Sequence, residues 1–356
     1  MRKNSKLESF YSMKVIYAAL ACSALALTSL AAEPNLAIKL PTANDYIFSK
    51  TPEKFYMYTF RNFEGVDSHP WTAGKYGYVR TLRRTPEGII ATKFHEGIDI
   101  RPLKRDRFSR PMDIVSSIAD GKVVYTNKIA GNSNYGQYVV VEHDWGMGPF
   151  YSLYAHLQSV SCSTGSKVSA GSPLGKMGYT GAGITRERSH LHLELGIMAN
   201  KDFGQWHSAY FSSKNNHGIY SGLNINGLNI SELFIRHKNN SNLTLSEFIS
   251  KIPTYYKVTI PRRRDLDLAQ RYTWMCQGDH SVMTPAWEIS FAGSGLPLAI
   301  TPSNRAVIRP TVTFVTSTQS NHKYHTKGIL SGSGQQATLT SLGKRVISLM
   351  SSSFLD

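Results

Sequence analysis

In the stretch Arg188 to Ile197, "RSHLHLELGI", Leu191, Leu193 and Leu195 alternate with His190, His192 and Glu194. A two-residue period belongs to a β-strand, whose successive side chains point to opposite faces. The leucine face therefore predicts core, and the face bearing His190, His192 and Glu194 predicts a surface, a cavity or a site. The same texture runs from about residue 71 to 197. "GKVVYTN", "GQYVVVEHD", "FYSLYAHL" and "SKVSAGSPLGKMGYTG" are short β-branched or aromatic runs broken by turn residues. The spacing of Gly165, Val168, Gly171, Gly175 and Gly178 predicts tight turns between strands of one small, folded-over sheet. The expected core is mainly β, built of folded antiparallel sheets with glycine-rich turns.

Beyond residue 200 the texture changes. "TLSEFISKI" carries a capping box, Thr244 with Glu247, ahead of Leu245, Phe248, Ile249 and Ile252 at helical spacing, and Pro253 ends it. "TSLGKRVISLM" predicts a second helix on Leu342, Val346, Leu349 and Met350, and "AVIRPTVTFVTS" between them reads as strands. Residues 201–356 are thus expected to be an α+β appendage to a core at 91–200, with 33–90 leading into it. A chain of 356 residues has room for two such units.

The first 32 residues read as a secretory leader. Arg2, Lys3, Lys6 and Lys14 precede the run "VIYAALACSALALTSLAA", whose small residues suit cleavage after Ala31 or Ala32. The signal itself starts naturally at Met13, and the residues before Cys22 make a poor lipidation box. Removing four Lys/Arg and one Glu with the leader lowers the net charge from +16 to +13. An exported cation of this kind, in the periplasm or cell envelope, meets anionic envelope polymers and wall peptides with free carboxylates. Export, and the lack of any helix-turn-helix, finger or RNP pattern, argue against nucleic acid as the partner. No membrane-spanning segment is read after the leader. Cys162 and Cys276 remain as two thiols without metal-ligand spacing, for which one disulfide is permitted.

Upstream of the histidine pair lies "FHEGIDI", in which His95 and Asp99 are four apart and share a strand face, opposite Ile98 and Ile100. His156 ends the apolar run "YSLYAHL". A catalytic zinc needs three N or O ligands and one open position, and leftover imidazoles serve as acid or base. Four histidines and one aspartate cover that need, but their types do not assign which of His190 and His192 would bind the metal. Glu194 is read as orienting a neighbouring histidine, and His143 as a turn residue that could border the cleft.

Taken in order, "HEGIDI", "LYAHL", Gly178 to Gly181 ("GYTG") and "HLHLEL" resemble the lysostaphin/LytM-type zinc peptidoglycan endopeptidases over roughly residues 93–196. The resemblance implies that His95, Asp99 and His192 hold one Zn2+ per chain, and that His156 and His190 are the catalytic histidines that deprotonate the attacking water and stabilise the tetrahedral intermediate. It implies an exported metalloendopeptidase acting on peptidoglycan stem peptides or cross-links. The rivals are a catalytically weak wall-binding module of the same fold that activates another hydrolase, and a cupin-like metal protein. Cupins place a glutamate several residues past their H-x-H, whereas Glu194 follows by two. This chain departs from the family in the basic insertion "RPLKRDRFSRPM" after Asp99 and in the longer loop "AGITRERS" before His190. Arg105, Arg107 and Arg110 of that insertion are expected at the rim of the cleft, facing wall carboxylates. The family's aromatic before the first ligand would fall at Tyr78.

Overall fold

The strand Leu191–Met198 lies in a nine-stranded antiparallel sheet, where it pairs with Ile98–Ile100, with Pro149–Val160 and with Ile225–Gly227. This computed structural model describes residues 36–316 and 321–355. The leader read at 1–32, with Cys22 and both candidate starts, lies outside the described residues. The rest of the sheet runs in the order Lys167–Val168, Gly121–Asn127, Gln137–Asp144, Pro149–Val160, Pro173–Met177, Ile114–Ser116. The alternation predicted for the histidine strand holds. Leu191, Leu193 and Leu195 are fully buried in one apolar cluster with Ile98, Ile100 and Tyr154. Truncating one of them to alanine costs about 2–5 kcal/mol.

Ahead of this sheet stands a separate hairpin, Gly77–Thr85 with Gly88–His95, whose second strand ends on His95. His95 and Asp99 therefore do not share one strand as expected: after Glu96 and Gly97 the chain begins a new strand at Ile98, in the main sheet. The turn between them passes so close to the histidine strand that a Cβ on Gly97 would sit 2.2 Å from the Leu193 carbonyl oxygen. Glycine is therefore required for His95 and Asp99 to approach His192.

The C-terminal region is α+β. Its four-stranded antiparallel sheet has the order Pro297–Ser303, Ala286–Phe291, Tyr256–Pro261, Thr311–Val315. The helix Leu245–Ser250 carries both hydrogen bonds of the Thr244/Glu247 capping box, and Ser341–Ser351 forms the second expected helix, capped by Thr340. Among the described residues of "AVIRPTVTFVTS" only Thr311–Val315 is a strand; Pro310, lacking an N–H, marks where pairing begins. All described residues fall in one compact unit, and its main apolar cluster runs from Leu36 to Met350. The far end of the histidine strand is held by this region. The Met198 N–H donates to the Tyr272 hydroxyl (3.0 Å), which donates to the Pro149 carbonyl (2.7 Å), and Arg271 donates to the carbonyls of Met198 and Ala199. Cys162 and Cys276 are both free thiols. Among the described residues no helix is long and apolar enough to cross a membrane.

His143 does not border the cleft. It sits within Gln137–Asp144, fully buried, between the Asp120 carbonyl and the Ser152 hydroxyl, each at 2.7 Å. Burial pushes its pKa down to about 4, against the upward pull of Asp120. Because the folded pKa lies below the unfolded value of about 6.5, the unfolded chain binds the proton first. Stability from this group is complete above pH 6.5 and is lost as pH falls toward 4, by about 3 kcal/mol. Denaturant unfolding of wild type and His143→Gln across that window should show a flatter profile in the variant; parallel profiles would remove His143 as the cause.

Candidate metal centre

Asp99 and His192 are directly opposite each other in the antiparallel pairing, so their side chains leave the sheet on the same face. His95, delivered by the hairpin and the Gly97 turn, completes a buried trio whose candidate ligand atoms lie within 4.8 Å of one another. Asp99 Oδ1 is 3.1 Å from His95 Nε2 and 2.9 Å from His192 Nδ1, and the two nitrogens are 3.2 Å apart. A tetrahedral ion with ligands at 2.0–2.1 Å needs donor atoms roughly 3.3 Å apart.

The outer hydrogen bonds set the tautomers. His95 Nδ1 faces the Lys75 carbonyl at 2.8 Å and must donate, which leaves Nε2 bare. His192 Nε2 faces Glu194 Oε1 at 2.8 Å and donates to it, which leaves Nδ1 for the centre. Glu194 is itself buried, and its Oε1 also accepts from the Tyr135 hydroxyl at 2.7 Å. Two bare nitrogens and a carboxylate oxygen converging on one point repel one another unless a cation lies between them. The residues therefore fit a metal such as zinc. The same crowding explains the titration. Burial alone would raise the Asp99 carboxyl, but His95, His190 and His192 hold it well below its usual range. Burial would lower His192, yet the bonds to Asp99 and Glu194 carry it up to about 9, so a proton and a metal compete for its Nδ1. Burial keeps His95 low despite Asp99.

His156 reaches the same face by an irregularity. Ala155 pairs with His192, so the next residue of a regular strand would point into the opposite layer. Instead His156 takes a left-handed conformation, φ +62°, where the pairing with both neighbouring strands slips. Gly178 makes room: a Cβ there would lie 2.3 Å from the Gln158 nitrogen and 2.8 Å from the His156 carbonyl oxygen. A positive φ at a non-glycine residue costs of order 1–3 kcal/mol and accumulates at functional sites. His156 Nδ1 donates to the Thr180 carbonyl (2.9 Å) and His190 Nδ1 to the Arg188 carbonyl (2.6 Å), so both rings, 4.9 Å apart, present a bare Nε2. The His190 Nε2 lies 3.4 Å from Asp99 Oδ1. Burial, followed by the nearby His190 and His192, holds His156 well below its ordinary pKa and therefore neutral.

All five candidate residues meet here. Tyr78 does not. The strand Gly77–Thr85 bulges at Val79, so that Tyr78 opposes Phe94 while Arg80 opposes Lys93, and the two side chains leave on opposite faces. The Tyr78 hydroxyl donates to Gly293 and accepts from the Lys327 N–H, away from the centre. Arg80 takes its place: its Nη2 is 2.5 Å from Asp99 Oδ2 and 3.0 Å from His95 Nε2. Arg80 and Tyr135 escape sequence reasoning because "YVRTLRR" and "SNYGQY" look like ordinary strand and turn. The basic insertion is not a free rim throughout. Arg105 donates to the carbonyls of Ser109, Arg186 and Glu187, stitching the insertion to the loop before His190, whereas Arg107 and Arg110 flank the exposed Phe108 ring.

Because Glu194 fixes the tautomer of His192, Glu194→Gln should weaken zinc binding roughly 10–100-fold, read by competition with a chelating dye. Unchanged affinity would leave Glu194 as packing.

Residues 93–202 match the model of Peptidase family M23. The motifs from His95 to Leu195 lie inside this segment. Among curated proteins the murein hydrolase activator EnvC of Escherichia coli (strain K12) is 41% identical over 81 residues, which make up 23% of this chain and 17% of that protein. The chain thus spans about a sixth of that relative's length. Similar solved structures include a zinc-containing peptidase from Vibrio cholerae, with 25% identity over 39% of this chain and 35% of that one and a TM-score of 0.25. The catalytic domain of lysostaphin from Staphylococcus simulans is 18% identical over 50% of this chain and 92% of that one, with a TM-score of 0.28.

Proposed function

We propose that the protein is an exported zinc metalloendopeptidase that hydrolyses peptide bonds in peptidoglycan stem peptides or cross-links. The 91–200 core would do the chemistry. The observation that carries this reading is the pairing of a complete three-ligand set, His95, Asp99 and His192, with two further imidazoles whose bare Nε2 atoms border the same cleft. A bound zinc would supply an acidified water and polarise the scissile carbonyl. His156 and His190 do the proton work. A neutral Nε2 takes a proton from the attacking water, and the imidazolium so formed donates to the developing oxyanion or to the leaving amine. The carbonyls of Thr180 and Arg188 hold both rings in the required tautomer.

A second reading has one observation in its favour, namely that the E. coli relative is named as an activator of murein hydrolases. Here the chain would bind wall and stimulate another hydrolase. Purified wall fragments of several chemistries separate the two. New amino and carboxyl termini identified by mass spectrometry, absent after chelation and restored by zinc, support the peptidase. Intact fragments with zinc-loaded protein, together with stimulation of an added hydrolase, would replace it by the activator.

A further inference from the structure

The cleft beside the metal centre encloses about 470 Å³, and its walls carry three cations: Arg80, Lys93 and Arg188. Arg80 and Lys93 oppose each other across the hairpin, where like charges are destabilising. The bulge at Val79 is what turns Arg80 to this side, so local irregularity maintains an unfavourable pairing. Arg80 is anchored by its Nε on the Ala73 carbonyl and its Nη2 on Asp99. Arg188 is anchored by its Nε on the Tyr58 carbonyl, half-buried, with both terminal nitrogens unpaired among the described residues. Lys93 has no anionic partner among the described residues. Asp99 is the sole carboxylate on the cleft wall, and it serves the metal ligands. Glu187 is turned outward, accepting from the Tyr58 hydroxyl at 2.5 Å. Burial and the nearby Arg80 charge lower the pKa of Arg188, with Asp99 pulling the other way. Three cations held together with a metal site would raise a strong positive potential in a partly enclosed space.

We infer that Arg80, Lys93 and Arg188 form a carboxylate-reading subsite, so that the preferred substrate is a peptide bearing a free carboxylate beside the amide that is cut. This rests on the peptidase reading and narrows it. Arg188 is the principal reader, because its planar fork is free and pre-positioned for a bidentate carboxylate. Arg80, through its remaining nitrogen, and Lys93 supply the flanking charge.

The test uses two stem-peptide cross-links that differ only in that carboxylate, one as the free acid and one as the carboxamide. Calorimetry with the metal-free protein at low salt should give about tenfold tighter binding of the acid, since hydrogen bonds to a charged acceptor are stronger than those to a neutral one. The preference should fall toward unity in Arg188→Gln, and should shrink severalfold in Lys93→Gln, whose exposed side chain puts folding at no risk. Equal binding of acid and carboxamide by the wild type, or a preference unchanged in both variants, overturns the subsite. Cleavage by zinc-loaded protein separates the two ideas. Both compounds cut with the same kcat/KM would sink the subsite and leave the peptidase, whereas binding preference without cleavage of either would sink the peptidase and leave the subsite.

Discussion

Purified protein is expected to carry about one zinc per chain, and His95→Ala, Asp99→Ala and His192→Ala are each expected to empty the site. The three donors sit on separate pieces of backbone: the end of a hairpin, the middle of a short strand and the start of a long one. Chelation depends on all three being held near tetrahedral spacing, so removing one leaves a two-point site open to water. Affinity should fall by more than the 10–100-fold that loss of an outer partner causes. Atomic absorption after dialysis checks this, and full occupancy in all three variants would overturn the ligand assignment. Metal binding to the folded state also adds stability by mass action, about 4 kcal/mol at a thousand times Kd. Chelator should therefore lower the Tm of wild type and leave that of the three variants in place.

The second large effect separates metal binding from turnover. His156→Ala and His190→Ala should keep their zinc while turnover of wall peptide falls by about 10²–10⁴-fold, the usual contribution of a positioned acid or base. Neither Nε2 belongs to the ligand trio. His156 sits at φ +62°, so His156→Asn, which tolerates the left-handed region better, serves as the control for backbone strain. Loss of zinc in either histidine variant would mean that a ligand and a base have been exchanged. Retained zinc with unchanged turnover in both would remove the proton-transfer role.

The strand identity of "HLHLEL" and its two faces were legible because a period of two is a local property that needs no knowledge of what packs on the sheet. The helices at 245–250 and 341–351 were legible for the same reason, since capping and apolar spacing act within one or two turns. The two-stranded hairpin before His95 was not. Its arginines and threonines carry no strong alternation, and it pairs only with itself, outside the main sheet. Tyr78 was misplaced because one bulged residue reverses which side chain faces the centre, and nothing local distinguishes Val79 from its neighbours. Arg105 looked like one more solvated charge until its carbonyl partners, some eighty residues away, became visible.

By itself the sequence determined the residue types of the centre, the strand face that His192 and Glu194 share opposite the leucines, and the basic character of its surroundings. These follow from backbone geometry and charge, which each short segment carries alone. Only the tertiary structure decided that Asp99 and His192 lie opposite in register, that His192 turns Nδ1 rather than Nε2 to the centre, and that a left-handed His156 joins a face it would otherwise oppose. It also decided that Arg80, Lys93 and Arg188 converge on one cleft. Each of those outcomes depends on pairing between segments distant in sequence or on a single bulge, and register between strands is set by the whole packed sheet rather than by any one strand.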